Sequence, residues 1–183
     1  AVVYTPSVIE QPAVFGHNDL PGVMLGSAFQ RLVHLYAVKP CDRVVVLAAN
    51  SAAYGVALDM LAAGVEVAAV ADLRSAGEPS ALGEEVAAAG VPIYRGHAVY
   101  EAVPKRNKSG LRGAVVVPVD GAGDVGRGEM IACDGLVVSV GWMPNAALLS
   151  QAGVKFSYDA TLEQLTPIAQ PDGVFVAGRA RGV

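Results

Sequence analysis

The stretch Asp42-Arg43-Val44-Val45-Val46-Leu47-Ala48-Ala49-Asn50-Ser51-Ala52-Ala53-Tyr54-Gly55 decides how this chain is read. Its unbroken apolar run suits a parallel strand covered on both faces by helices, and the residues after it suit a helix. A second apolar run, Val65 to Ala71, comes about twenty residues later and ends in Asp72, where a ribose-binding acid belongs. Strand, turn, helix, strand and acid form the outline of a dinucleotide-binding unit.

The turn lacks the glycines such units use. In the usual fingerprint the first glycine permits a sharp turn, the second lets the backbone approach a pyrophosphate, and the third lets helix and strand pack closely. Leu47, Ala49 and Ala52 stand at those places. Alanine is an accepted third member. Ala49, however, puts a methyl group where phosphate oxygens approach, and Leu47 must fit a bulky side chain into the turn. The helix start keeps Asn50 or Ser51 as a cap and its amides toward an anion.

Two readings stay open. In one, Ala48, Ala49, Asn50, Ser51 and the helix amides hold NAD, with Asp72 bonding the ribose hydroxyls. Asp72 would repel a 2′-phosphate, although Arg74 two residues on blurs that preference. In the other, the nucleotide outline survives only as scaffold and Asp72 is an ordinary solvated acid.

Working outward, residues 1–21 carry Pro6, Pro12 and Pro21 and read as a connecting segment with a short strand. Val23, Met24, Phe29, Leu32, Val33 and Tyr36 predict a helix over 22–36, closed by Pro40. Strands are expected at 43–48, 66–71 and 91–95, and helices at 51–63 and 81–89 with Gly64 and Gly90 as caps. The runs 97–103, 111–119 and 130–133 read as hairpin strands joined by the loops 105–110 and 120–128. Strand 135–140 then returns the chain. The expected class is α/β: a three-layer Rossmann-like parallel sheet with an antiparallel hairpin insertion. The expected division is 1–21, 22–153 and 154–183. The chain opens without Met and stops just after the strand-like Gly173–Gly178, so it reads as the middle of a larger protein.

Several functions are disfavoured. The net charge of −4, with no basic patch, argues against nucleic acid. No apolar run reaches the roughly 18 residues that span a bilayer. Cys41 and Cys133 form no CxxC pair and read as reduced thiols of a cytoplasmic protein. His17, His34 and His97 share no metal-ligand spacing, and no residue stands out as catalytic.

The order of these pieces resembles the pyridine nucleotide–disulfide oxidoreductase superfamily, in which an NAD(P)-binding domain is inserted into an FAD-type domain. The stretches that carry the resemblance are Asp134–Gly141 with Pro144-Asn145, Gly173–Gly178, and Thr5-Pro6-Ser7. A narrower match lies in Glu10-Gln11-Pro12-Ala13-Val14-Phe15 and His17-Asn18-Asp19-Leu20-Pro21-Gly22-Val23-Met24, together with the glycine-poor Asn50–Tyr54. These are similar to the alpha subunits of heterotetrameric sarcosine oxidases and their amine-oxidising relatives. The resemblance implies a hetero-oligomeric flavoenzyme, with FAD or FMN in the full protein, NAD held in this domain or in the flanking FAD-type one, a small amine as substrate, and other subunits as partners. It implies further that Gly141 and Gly178 lie where the two domain types meet. Many superfamily members carry Asp after the position of Gly178; Arg179 reverses that charge. Two alternatives accompany this reading: an NADH-dependent flavin or disulfide reductase domain, and a non-binding assembly module with a degenerate pocket.

Overall fold

The computed structural model describes residues 1–75, 80–119, 126–162 and 164–181. In chain order the elements begin with β1 (Val2–Tyr4), β2 (Val8–Glu10), β3 (Val23–Leu25), α1 (Gly26–Tyr36), β4 (Arg43–Ala48), α2 (Ala52–Ala62) and β5 (Glu66–Asp72). Then come α3 (Ala81–Ala88), β6 (Ile93–Arg95), β7 (His97–Pro104), β8 (Leu111–Pro118), β9 (Glu129–Ile131) and β10 (Gly135–Ser139). The last are β11 (Trp142–Pro144), α4 (Ala147–Gln151), β12 (Lys155–Asp159), β13 (Gln164–Ala169), β14 (Val174–Val176) and a 3-10 turn, Gly178–Arg181. The expected loop at 120–128 lies partly outside the described residues, as does the polar, Gly- and Pro-bearing stretch 74–80.

The chain divides into two compact units, residues 12–140 and residues 1–11 with 141–183. The larger unit is built on a five-stranded sheet in the order β3-β10-β4-β5-β6, every pair parallel. Side chains alternate across it. Val44, Val46, Ala48, Val70 and Val137 meet a helical layer that contributes Phe29, Tyr54, Val56, Met60 and Val86. Val45, Leu47, Ala69, Ala71, Leu136 and Val138 meet the opposite layer. That opposite layer is the antiparallel sheet β7-β8-β9, which brings Val99, Ala114, Val116 and Ile131. Three layers with a hairpin insertion are therefore present, but the second face is covered by the insertion, where continuous apolar strands had suggested helices on both sides. An apolar sheet face needs cover of matching hydrophobicity, and a strand pair supplies it as well as a helix.

The register of β4 against β5 shifts between Val44 and Val45, where Val44 faces Val67 and Val45 faces Ala69. Ala68 is thereby the extra residue of a bulge.

The helix expected over 22–36 starts later. Gly22 takes φ +101°, a conformation that favours glycine, and Val23–Leu25 pair with Leu136–Val138 as a strand before α1 begins. Nor does Pro40 end α1. Ala37 turns left-handed at φ 52°, with its amide on Val33 O and the Val38 amide on Leu32 O, a Schellman-type close.

The start of β4 is tied to β10 by Asp134. Its carboxylate accepts from Asp42 N at 3.1 Å and Arg43 N at 2.8 Å, and its own amide donates to Arg43 O. Beside it a Cβ on Gly135 would stand 2.6 Å from Cys41 Sγ and 2.9 Å from Cys41 Cβ, so glycine is required for close approach.

The smaller unit holds three two-stranded sheets: β1 parallel to β14, β2 antiparallel to β11, and β12 antiparallel to β13. Leu149, Val154, Val176 and Ala180 form its core, with Tyr4, Phe156 and Val174 packed on them. Strands of three residues carry too little periodicity to announce themselves, which is why β2 and β11 escape a pattern reading.

Gly135→Ala is expected to lower stability by about 1–3 kcal/mol through overpacking, read as a fall in the urea midpoint. Adding Cys41→Ala should return part of that loss, and an unchanged midpoint in Gly135→Ala would contradict the packing described.

Candidate functional site

In an open parallel sheet, ligands bind beyond the C-terminal strand ends where the chain's direction of travel across the sheet reverses. Here β4 leads through α2 to β5 on one side, while β10 lies on its other side, so the reversal falls at Ala48 and Ser139. These two residues pair in register. Strand β4 continues through Ala48, so Leu47 lies inside the sheet, 2% exposed, rather than in the turn. The turn itself is Ala49-Asn50-Ser51.

Its polar groups are partly committed. Ala49 N donates to Ser139 O at 3.3 Å, and Leu73 N donates to Ala48 O at 2.9 Å. Asn50, not Ser51, caps α2: its Oδ1 accepts from Ala53 N at 3.2 Å, whereas Ser51 makes no side-chain cap. At this strand end Asn50 Nδ2 and Ser139 Oγ are buried and have no hydrogen-bond partner among the described residues. Ser139 is missing from the residues that sequence reasoning singled out. Its signal was a lone serine among the valines of β10.

Asp72 ends β5 and is fully buried, with all its acceptor capacity in use. Tyr54 Oη donates to Oδ2 at 2.7 Å and Arg74 Nη2 to the same oxygen at 2.9 Å. Arg74 Nε and Arg74 N both donate to Oδ1 at 3.0 Å. Four donors fill the roughly four lone-pair directions of a carboxylate. Burial works to raise the Asp72 pKa, but hydrogen bonds from Arg74 and then Tyr54 outweigh it, so the acid stays below the ordinary carboxylate value. Burial, followed by the bond to Asp72, pushes the Tyr54 phenol up. Tyr54 was part of the deciding stretch, yet nothing local ties its hydroxyl to an acid 18 positions on.

Ala48, Ala49, Asn50, Ser51 and Asp72 thus all belong to the larger unit. Gly141 and Gly178 belong to the smaller one. A Cβ on either glycine would meet nothing within 4 Å, and Gly178 has φ +72°. After Gly178, the Arg179 guanidinium stands 5.2 Å from the centre of the Trp142 ring, and its carbonyl accepts from Gln164 Nε2 at 3.3 Å.

Cys41 and Cys133 are free and buried, and burial pushes their thiols up to about 12 and about 11. Neither is a thiolate at neutral pH. Among the described residues no three His, Cys, Asp or Glu side chains gather as a metal site, and no helix is long and apolar enough to cross a membrane. A cleft of about 520 Å³ opens elsewhere on the larger unit, between Val14–Gly16 and β7, and includes none of the expected site residues.

Tyr54→Phe should destabilise the chain by about 1–3 kcal/mol at pH 7, because it strips a donor from a buried charge. A depressed carboxylate pKa contributes stability that is present above its unfolded value and is lost as pH falls through the folded one. The difference between Tyr54→Phe and wild type should therefore narrow below pH 4, checked by urea unfolding at pH 7 and pH 3.

Comparison with known proteins bears on this geometry. No family model matches the chain. A sarcosine oxidase subunit alpha of Corynebacterium sp. (strain P-1) is 32% identical over 183 residues, which is 100% of this chain and 18% of that protein. The sarcosine oxidase subunit alpha of Rhizobium meliloti (strain 1021) is 34% identical over 173 residues, 93% of this chain and 16% of that protein. This chain therefore spans less than a fifth of the length of these relatives. Among solved structures, T. acidophilum thioredoxin reductase matches with a TM-score of 0.69 at 17% identity, over 98% of this chain and 60% of that one. The ferredoxin reductase for the CYP199A2 system of Rhodopseudomonas palustris matches at 0.64 and 20%, over 96% and 43%. The architecture is accordingly the Rossmann-like fold of these reductases, and along its whole length this chain is homologous to one segment of the sarcosine oxidase alpha subunits.

Proposed function

We propose that this chain is the dinucleotide-binding-type portion of an alpha subunit in a flavin-dependent amine oxidoreductase of the sarcosine oxidase kind, acting on a CH–NH donor. In this reading the inserted NAD(P)-type domain, expected over 22–153, corresponds to the compact unit 12–140, and 1–11 with 141–183 belong to the flanking FAD-type domain. Partners are the other subunits of a hetero-oligomeric oxidase in the cytoplasm, with neither nucleic acid nor membrane involved.

One observation supports the binding site: Asn50 Nδ2 and Ser139 Oγ are buried and have no partner among the described residues, at the strand ends where the topology reverses. Each such group costs about 1–3 kcal/mol when left unsatisfied. A dinucleotide phosphate offers acceptors to both, and the α2 N-terminus adds its dipole. Ala49 holds the phosphate slightly farther off than glycine would. Gly141 and Gly178 are proposed as cofactor contacts of the smaller unit by itself, where a Cβ on either would meet nothing within 4 Å. In the full enzyme a flavin, FAD or FMN, would accept the hydride of the amine, while the protein binds and orients. No residue of this chain is assigned a catalytic role.

The saturated Asp72 favours a second reading, an assembly module that binds nothing. Titration with NAD⁺ separates the two. Saturable binding is expected, weakened about fivefold or more by Asn50→Ala and by Ser139→Ala. Ser139→Ala should leave the melting temperature unchanged or raised, since it removes an unsatisfied buried hydroxyl. Absence of binding would leave the assembly module. The chain alone should release no peroxide from sarcosine, and steady release would overturn the assignment of no catalytic residue.

A further inference from the structure

We propose that the cleft between Val14–Gly16 and β7 is a binding site for a free organic cation, an alkylated ammonium on an apolar or aromatic body. The cleft shares no residue with the Ala49-Asn50-Ser51 turn, and nothing in it depends on a dinucleotide binding there. At about 520 Å³ it falls within the roughly 300–1,000 Å³ usual for small-molecule sites.

A bulge in β7 supplies the recognition pair. Val99 faces Val116 and Glu101 faces Val115, so Tyr100 is the extra residue. Neighbours in a regular strand point to opposite faces, and a bulge re-aims one of them. Val99 and Ala102 both pack into the antiparallel layer, which leaves the consecutive Tyr100 and Glu101 together along the cleft. An aromatic ring, on a residue 56% exposed, therefore stands beside a carboxylate. The opposite wall is fixed by backbone. Gly16 N donates to Tyr100 O at 2.9 Å, and Ala102 N donates to Gly16 O at 2.8 Å. A Cβ on Gly16 would stand 2.8 Å from Glu101 Cβ, so glycine is what lets the segment come this close.

The lining selects the ligand. Its one charged side chain is Glu101, and neither Lys nor Arg lines the cleft, so a single positive charge is matched and an anion is not. His17 Nδ1 stands 3.9 Å from Glu101 Oε2, beyond hydrogen-bond reach, and among the described residues no donor is hydrogen-bonded to that carboxylate. A strongly hydrated metal ion or bare ammonium would lose water against the apolar walls of Phe15, Ala98 and Val117. Alkyl groups on the nitrogen suit those walls, and such cations sit well over an aromatic face like that of Tyr100.

The test is calorimetric titration of the full chain with benzyltrimethylammonium. Saturable binding is expected, weakened about fivefold or more by Glu101→Gln and by Tyr100→Leu, which keeps apolar bulk without a ring. Tyr100→Phe keeps the ring and should bind within about twofold of wild type; it decides the role of the ring if the leucine variant does not fold. Benzenesulfonate, with the same ring and the opposite charge, should not bind, and Asn50→Ala should leave the affinity for the cation unchanged. Absence of saturable binding by the wild-type chain overturns the site, as do equal affinity for the sulfonate, a Tyr100→Phe variant that no longer binds, or a Glu101→Gln variant that binds as wild type does. None of these outcomes bears on NAD⁺, whose titration stands or fails separately.

Discussion

Strand β4 is buried on both faces, and the larger unit is arranged around that constraint. From Val44 to Ala48 it carries no polar side chain, and these five residues are almost wholly inaccessible to solvent. A strand in that position requires neighbours on both edges and apolar cover above and below. The edges are β10 and β5; the cover is the helical layer on one side and the antiparallel sheet on the other. Each of its buried valines and Leu47 contributes on the order of 1.5–3 kcal/mol if fully removed from water. The strand is also fixed lengthwise by the carboxylate of Asp134 at its start. Because β4 cannot shift, the Ala49-Asn50-Ser51 turn is delivered to a defined place whatever its glycine content.

That separation of scaffold from turn explains how a nucleotide fold tolerates Ala49 where glycine is usual. The fold draws on burial in the strands and helices, not on the turn's contact with phosphate. Leu47 illustrates the point: placed by motif alignment at the first glycine, it is in fact a packed member of the sheet, opposite Ala71 and Val138.

Much of this arrangement was readable from residue patterns. The long runs of β4, β5 and β10 and the capped helices α2 and α3 follow from apolar continuity and from Gly64 and Gly90, which take φ +73° and +83°. What escaped has a common cause. Strand β3 is three residues long and exists because β10, more than a hundred positions later, offers an edge. The two sides of the Tyr54–Asp72 contact come from a helix and a strand whose mutual placement no local period encodes. Ser139 is polar only at the very end of β10. Helical amphipathicity and strand continuity report burial, whereas the pairing of polar groups is decided by tertiary contact.

The bulge at Ala68 has a wider reach than its size suggests. Side chains of a strand change face at every residue, so one additional residue would reverse the phase of everything after it unless a bulge absorbs it. Val67 and Val70 both serve the helical layer, although three positions separate them. Asp72 shares the phase of Val70 and so meets Tyr54. Had β5 run through Ala68 as a regular strand, without the bulge, its acid would have ended the strand aimed at the antiparallel layer. A hydroxyl on α2 and a carboxylate on β5 are thus brought together by a counting irregularity four residues upstream, which means motif spacing in such folds has to be counted in strand phase rather than in sequence positions.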